Sequence, residues 1–281
     1  MILMGNQMWL RYKARSLNSL TKSDSIVFMI IIKTEQEIQN MREGGKRHAE
    51  ILQKIAKLVR PGISTWELDQ EAEKMIREYG DLPAFKNYKP DGADRPYPAT
   101  LITSVNEEVV HGIPNKKRIL QEGDIISLDI GVHHNGVFTD AAITVPVGKI
   151  SKELNELLMI TEESLYVGIE QVKPGNTTGD IGHAIEQFIN KRYGIVDGFS
   201  GHGVGRHIHE DPYIPNYGRP GAGEKLVAGM TIAIEPMMNL GTKYVKILND
   251  GYTVVTKDGK PSAHFEHTVL VTDTGYEILT K

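Results

Sequence analysis

The chain has 281 residues, 40% of them apolar and 24% charged, with a net charge of −4. That composition suits one large globular domain or two small ones, and it offers no basic stripe for nucleic acid. There is no cysteine, which excludes disulfides, thiolate catalysis and thiolate-held zinc or iron–sulfur centres, so any metal must be held by His, Asp and Glu.

The longest apolar run, Ile26 to Ile32, follows a stretch with Arg11, Lys13, Arg15 and Lys22. It is far shorter than the about 18 residues of a membrane span. A signal peptide is disfavoured by the length of the basic stretch, by Asp24 close to the run and by the lack of a small-residue cleavage site. Residues 1–33 therefore read as a poorly ordered tail or a short strand, with Met29 a candidate start. From Thr34 the pattern becomes regular. Thr34-Glu-Gln-Glu37 has the form of a capping box, and Ile38, Met41, Ile51, Ile55 and Leu58 continue at helical spacing. Pro61-Gly62 stops that helix, and Ser64 can cap a second one running to Tyr79-Gly80. A loop rich in Pro and Gly covers 89–98, and strands are predicted near 125–131 and 137–145. A second pair of helices is predicted near 151–171 and 178–193, followed by glycine-rich loops and further strands.

This order repeats. Pro61-Gly-Ile-Ser-Thr65 with Leu68 matches Pro174-Gly-Asn-Thr-Thr178 with Ile181, and Tyr79-Gly80 matches Tyr193-Gly194. Leu120, Gly123 and Asp129 then match Leu226, Gly229 and Glu235 at the same spacing. Helices followed by strands, twice, make a duplicated α+β unit with halves of about 34–150 and 151–281. The two halves would be related by a pseudo-two-fold axis, with a site between them and Asp129 and Glu235 at equivalent positions.

The residues that carry chemistry lie on the predicted strands. Asn135-Gly136 is a strong hairpin signal. A two-residue turn there sets Asp129 opposite Ala142 and Asp140 opposite Gly131, all on one face, with the two aspartates as diagonal neighbours about 7–8 Å apart. Gly131 and Ala142 leave space beside them. His202 lies in Gly201-His-Gly-Val-Gly205, a candidate ligand on a tight turn where the backbone can approach closely. Glu235 ends the apolar strand Ile232-Ala-Ile234, and Glu266 opens Thr268-Val-Leu-Val271. A carboxylate inside an apolar run is costly to bury unless it is paired or binds a cation. Four of them together would repel and take up protons unless divalent cations neutralise them.

Ser-Leu-Asp129-Ile-Gly, Phe-Thr-Asp140-Ala, Gly-His202-Gly-Val-Gly, Ile-Glu235-Pro-Met and Phe-Glu266-His-Thr-Val resemble, in order and context, the motifs of the methionine aminopeptidases. The resemblance runs from about Thr34 to Lys281 and implies the duplicated "pita-bread" fold. It implies two divalent ions, of Mn, Fe, Co or Zn. Asp129 and Asp140 would be the chelating and bridging aspartates, His202 and Glu235 the ligands private to one ion, and Glu266 the bridging glutamate, with Glu235 also the proton shuttle. His111, in Asn106-Glu-Glu-Val-Val-His111-Gly-Ile-Pro, and His209 resemble the family's substrate-facing histidines. Phe85, Tyr88, Tyr97, Ile102 and Tyr252 fall in segments that resemble its methionine pocket. His133, His134, His183, His207, His264 and His267 receive no role.

The loop at 89–96 looks longer than in many bacterial relatives, pocket cysteines are absent, and Tyr252 stands where an aromatic residue, often Trp, is found. The short spacing of Glu235 and Glu266, with 30 residues between them, resembles the first, bacterial-like type. The implied activity is removal of an N-terminal methionine, mainly before a small second residue. The implied partners are nascent polypeptide N-termini near the ribosome, with no nucleic-acid specificity, and the implied setting is a cytoplasmic monomer away from membranes. A related peptidase that cleaves before proline, or an inactive binding module of the same fold, are the alternatives.

Overall fold

The computed structural model describes residues 30–90 and 93–281. Most of the expected tail, together with the first part of its apolar run, lies outside the described residues. The helices arise where the capping signals place them. The first spans Glu35–Ala56, and Thr34 accepts the Glu37 N–H while the Glu37 carboxylate takes the Thr34 N–H. The second, Thr65–Glu78, has the same reciprocal cap between Ser64 and Glu67. The third is Lys152–Ile169, capped by Ser151, and the fourth is Thr178–Ile189. The fourth ends earlier than the predicted Tyr193-Gly194. Asn190 turns into the left-handed region at φ 45°, which Asn tolerates better than most residues, and Gly194–Ile195 already belongs to a strand.

The strands Ile125–His134 and Val137–Pro146 form a long hairpin. Asn135 and Gly136 both have positive φ, 44° and 84°, as a tight two-residue turn matched to strand twist requires. The register is the predicted one, with Asp129 opposite Ala142 and Gly131 opposite Asp140. Leu101–Val105 and Leu82–Pro83 pair along the other edge of Ile125–His134. In the second half a five-stranded sheet runs in the order Tyr276–Ile278, His267–Val271, Thr231–Ile234, Gly201–Gly203, Glu210–Ile214.

The sequence repeat is a repeat of backbone contacts. Gly62 N–H bonds Leu120 O, and Gly175 N–H bonds Leu226 O. Thr65 bonds Arg118 O as Thr178 bonds Glu224 O, and Leu120 bonds Ile63 O as Leu226 bonds Asn176 O. The halves meet where Ala142 and Glu266 exchange both backbone hydrogen bonds, 3.3 and 2.8 Å. Thr268 Oγ1 ties the backbone N–H and C=O of Asp140, and Thr144 Oγ1 ties those of His264. Each contact maps onto the other by exchange of the halves.

Strand pleating separates core from chemistry. Ile126, Leu128, Ile130 and Val132 join Ile51, Ile55, Leu68 and Ile76 in one apolar core, while Ile232, Ile234 and Val269 join Leu165, Ile169, Ile181 and Ile185 in the other. The intervening residues Ser127, Asp129 and Gly131 point to the opposite face, toward the junction of the halves. Replacing Ser64 by Ala removes an N-cap acceptor and should lower stability by about 1 kcal/mol. Urea unfolding would read this as a lower midpoint at unchanged slope.

Candidate metal centre

The five acidic and imidazole side chains singled out in the sequence converge at the junction. Asp129 and Asp140 come from the two strands of the hairpin, Glu235 from the end of Thr231–Ile234, and Glu266 from the residue before His267–Val271. His202 occupies the middle of the strand Gly201–Gly203, opposite Ala233. The tight turn predicted for His202 is therefore corrected to a strand. The flanking glycines serve close approach, since a Cβ on Gly201 would stand 2.2 Å from Ala233 O and one on Gly203 2.2 Å from Asp211 O.

One oxygen each from Asp129, Asp140 and Glu266 lies within 4.8 Å of the others, and so do single ligand atoms of His202, Glu235 and Glu266. Glu266 belongs to both groups, and a third, of Asp140, His202 and His209, meets the same limit. His202 Nε2 stands 3.5 Å from Glu235 Oε1 and 3.8 Å from Asp140 Oδ2. Its Nδ1 lies 2.8 Å from Gly203 O. A carbonyl only accepts, so Nδ1 carries the proton and the Nε2 lone pair faces the carboxylates, the tautomer a ligand needs.

Burial pushes Asp129 up to about 8. Asp140, Glu235 and Glu266 are pushed well above the usual carboxylate range, first by burial and then by the neighbouring carboxylates. Asp129 Oδ1, Asp140 Oδ1 and Glu266 Oε1 are buried without a hydrogen-bond partner. No lysine or arginine is paired with this cluster among the described residues. Orphaned carboxylate oxygens in two overlapping triads, with a correctly presented imidazole, fit divalent cations.

His264 is a residue to which the sequence reading assigned nothing. It is buried, its Nε2 has no partner, and that atom lies 3.8 Å from Glu235 Oε2 and 4.0 Å from Glu266 Oε2. Burial pulls it down to about 3, so it stands neutral beside the acids. The spacing that relates Asp129 to Glu235 would carry Asp140 to Lys246, so the sequence repeat does not reach His264; the matched ties of Thr268 and Thr144 make it the counterpart of Asp140.

His111 and His209 face the same space. His111 follows the strand Glu108–Val110 with φ 61°, packs edge-on to Phe199 at 6.0 Å between ring centres, and is pulled down to about 4 by burial. His209 remains open to solvent at the mouth, though crowded on its inner side. Burial and then His202 and His111 hold it well below the ordinary histidine range. Its ring centre lies 4.5 Å from that of His202, and its Nδ1 is 3.0 Å from the Tyr88 hydroxyl.

Phe85, Tyr88, Tyr97, Ile102 and Tyr252 all belong to one apolar cluster with Ala84, Ile208 and Ala233. Tyr97 and Tyr252 meet edge to face at 5.2 Å, and Ile102 pairs directly with Asp129. The space beside Gly131 is taken by this wall, since a Cβ there would stand 2.8 Å from Ala84 Cβ and 3.0 Å from Phe85. Residues 93–96 lie against the cluster. Arg95 stacks over the Tyr252 ring, and the Tyr252 hydroxyl donates to Arg95 O at 2.5 Å.

The sequence pattern of metallopeptidase family M24 matches residues 39–273. Methionine aminopeptidase 1 of Bacillus subtilis is 50% identical over 254 residues, covering 90% of this chain and 100% of that protein. The crystal structure of methionine aminopeptidase from Thermotoga maritima superposes with a TM-score of 0.86 at 43% identity, covering 90% of this chain and all of that one. Prolidase from Pyrococcus furiosus is more distant, with a TM-score of 0.70 at 25% identity, and only 66% of its chain is covered.

The raised carboxyl pKa values carry a sign. In the metal-free protein these groups hold protons more tightly folded than unfolded, so their contribution to stability is present below the ordinary carboxylate range and is lost as pH rises toward about 8, the value for Asp129. Cations must displace those protons. Metal affinity should therefore rise with pH across that interval, with proton release on binding. Titration calorimetry of chelator-treated protein in buffers of different ionisation enthalpy would measure both, and pH-independent binding without proton release would contradict it.

Proposed function

The chain belongs to metallopeptidase family M24, and from that premise we infer that it is a methionine aminopeptidase of the first type, removing the N-terminal methionine from proteins and peptides. Its fold is the duplicated pita-bread arrangement of that family. The observation that carries the reading is the placement of the acidic cluster directly against an apolar aromatic pocket, through the Asp129–Ile102 pair. The 50% identity to a methionine aminopeptidase over nearly the whole chain favours it above peptidases that cleave before proline. Retention of all five acidic and imidazole groups disfavours an inactive binding module.

We assign Asp129, Asp140, His202, Glu235 and Glu266 as holders of two divalent cations, of Mn, Fe, Co or Zn. Bound there, such ions polarise a carbonyl and lower the pKa of water. The side chains then divide the remaining work. Phe85, Tyr88, Tyr97, Ile102 and Tyr252 receive the methionine side chain, whose flexible thioether packs well on aromatic rings. The substrate's free α-amine and scissile carbonyl bind beside the acidic cluster, which selects chain ends. His111 contacts the amide after the scissile bond, and His209 donates to the carbonyl oxygen as charge develops on it. Neutral imidazoles suit these tasks, and both histidines are held below the ordinary range. Glu235 takes up the proton of the attacking water and passes it to the departing amine. Residues 34–150 and 151–281 are the two halves of one catalytic domain. No helix among the described residues is long and apolar enough to cross a membrane. Nascent chains near the ribosome, in the cytoplasm and with the enzyme as a monomer, complete the proposal.

The protein should release methionine from Met-Ala-Ser and leave Ala-Pro intact, and chelation should abolish the activity. The reverse preference would refute the reading. Glu235→Gln should lower kcat by about 10²–10⁴-fold while the protein stays folded. Phe85→Ala should act mainly through KM, as steady-state kinetics on methionine p-nitroanilide would show.

A further inference from the structure

The acidic cluster leaves unexplained a buried ion pair at the edge of the site. Lys33 Nζ lies 2.5 Å from Glu210 Oε2, and the two side chains are 1% and 2% exposed. The pair joins the segment that leads into the first helix to the residue immediately after His209. Burying two charges is expensive, and such a pair gives little net stability over apolar residues of the same size. Its geometry points to another use.

Lys33 is anchored at two further points. Its backbone N–H bonds Gly229 O at 2.9 Å, just before the strand that leads to Glu235, and Nζ also donates to Ile31 O at 3.1 Å. Glu210 holds the loop from both ends. It stands opposite Gly203 in the sheet, and its second oxygen, Oε1, accepts the His207 N–H at 2.9 Å. The loop is shaped around the lysine stem, since a Cβ on Gly205 would lie 2.1 Å from Lys33 Cε. The other charges near Lys33 are Arg206 and Glu37, which pair with one another across the same gap. The carboxylate of Glu210 thus clamps the 203–210 segment, with His202 just before it and His209 within it, and Lys33 fixes that carboxylate.

We propose that Lys33 is a positioning residue for the peptidase reaction, acting through Glu210 to set the loop that presents His209 to the substrate. The proposal rests on the reading of His209 as a substrate-facing residue. Without the ammonium group, Glu210 is left as an uncompensated buried charge, which it escapes by protonation or by swinging out. Swinging out frees the His207 N–H, and loss of the charge weakens its bond to Oε1; each loosens His209, and displacement of a catalytic contact by about 1 Å can cost on the order of 100-fold in rate.

The test is a kinetic cycle in the full-length metal-loaded enzyme on Met-Ala-Ser, with Lys33→Met, His209→Ala and the double variant, and with metal affinity measured by calorimetry. Lys33→Met should lower kcat by roughly 10- to 100-fold, with much smaller changes in KM and metal affinity. In the double variant kcat should match His209→Ala alone. If Lys33→Met does not fold, Lys33→Met/Glu210→Leu, which leaves neither an unpaired buried charge nor an acceptor for the His207 N–H, takes its place in the same cycle. Unchanged kcat in the folded lysine variant, effects that multiply with His209→Ala, or a loss confined to metal affinity would each overturn the proposal. An unchanged kcat in His209→Ala alone would instead remove the premise about His209.

Discussion

Like charges out of water govern this molecule. Four carboxyl groups from four strands are brought into one mostly buried cluster, and no lysine or arginine is paired with them among the described residues. Burial raises each pKa first, and repulsion from neighbouring carboxylates, Asp129 in every case, raises Asp140, Glu235 and Glu266 further. Such a cluster persists only if the scaffold holds it whether or not the charge is neutralised. The scaffold does so through the backbone. The hairpin register, the Ala142–Glu266 exchange and the threonine hydroxyls on Asp140 and His264 fix the main chain at these residues. The side-chain oxygens are thereby left without partners inside the protein. Their need for positive charge is the driving force for binding cations.

Duplication explains how so much acid can be collected with so little strain. Two copies of a helix-pair-and-hairpin unit, each with one face packed on its own helices, present their other faces to one another. An inward carboxylate in a single unit would face solvent. Two units place Asp129 against Glu235, and the bonded pair Ala142 and Glu266 sits at the axis. The chemistry comes from the broken symmetry. Where the first half has Asp140 the second has neutral His264, and where the second has Glu266 the first has Ala142. A perfectly symmetric cluster would hold either too much negative charge or too few ligands on one side. The asymmetry leaves two ligand triads that share Glu266, beside a third in which His209 joins Asp140 and His202.

The parts legible in the sequence are those fixed by local rules. Thr34-Glu37 and Ser64-Glu67 announce helix starts because the reciprocal caps use residues three apart. Asn135-Gly136 announces a turn because both residues tolerate positive φ, and from that turn the pairing of Asp129 with Ala142 follows by counting. The motifs around the five acidic and imidazole residues carried the rest of the site. What was illegible depends on contacts made at a distance. The fourth helix stops at Asn190 rather than Tyr193 because the chain there joins a sheet whose other strands lie some forty and seventy residues further on. His202 reads as a turn residue from its glycines, which instead admit two neighbouring strands. The roles of His264 and Lys33 depend on which acids face them, and no local pattern reports that.

The register that gathers the acids also sets their distance from the apolar aromatic cluster. Asp129 lies between Ala142 on one neighbouring strand and Ile102 on the other, so a single row across the sheet runs from the junction of the halves to the apolar wall. Gly131, one inward position further along, has no side chain and lets Ala84, Phe85 and Ile208 close over the sheet. A larger residue there would push the wall away from the acids. Because this spacing is built from hydrogen-bonded strands, it cannot be adjusted by side-chain rotation alone. The adjustable elements are therefore the loops that lean on the rigid row, namely 93–96 with Arg95 over Tyr252 and 203–210 with His209 over His202. The acidic cluster is fixed by the sheet, while the loops beside it have independent anchors. A substitution in either loop thus leaves the geometry of the acidic cluster in place.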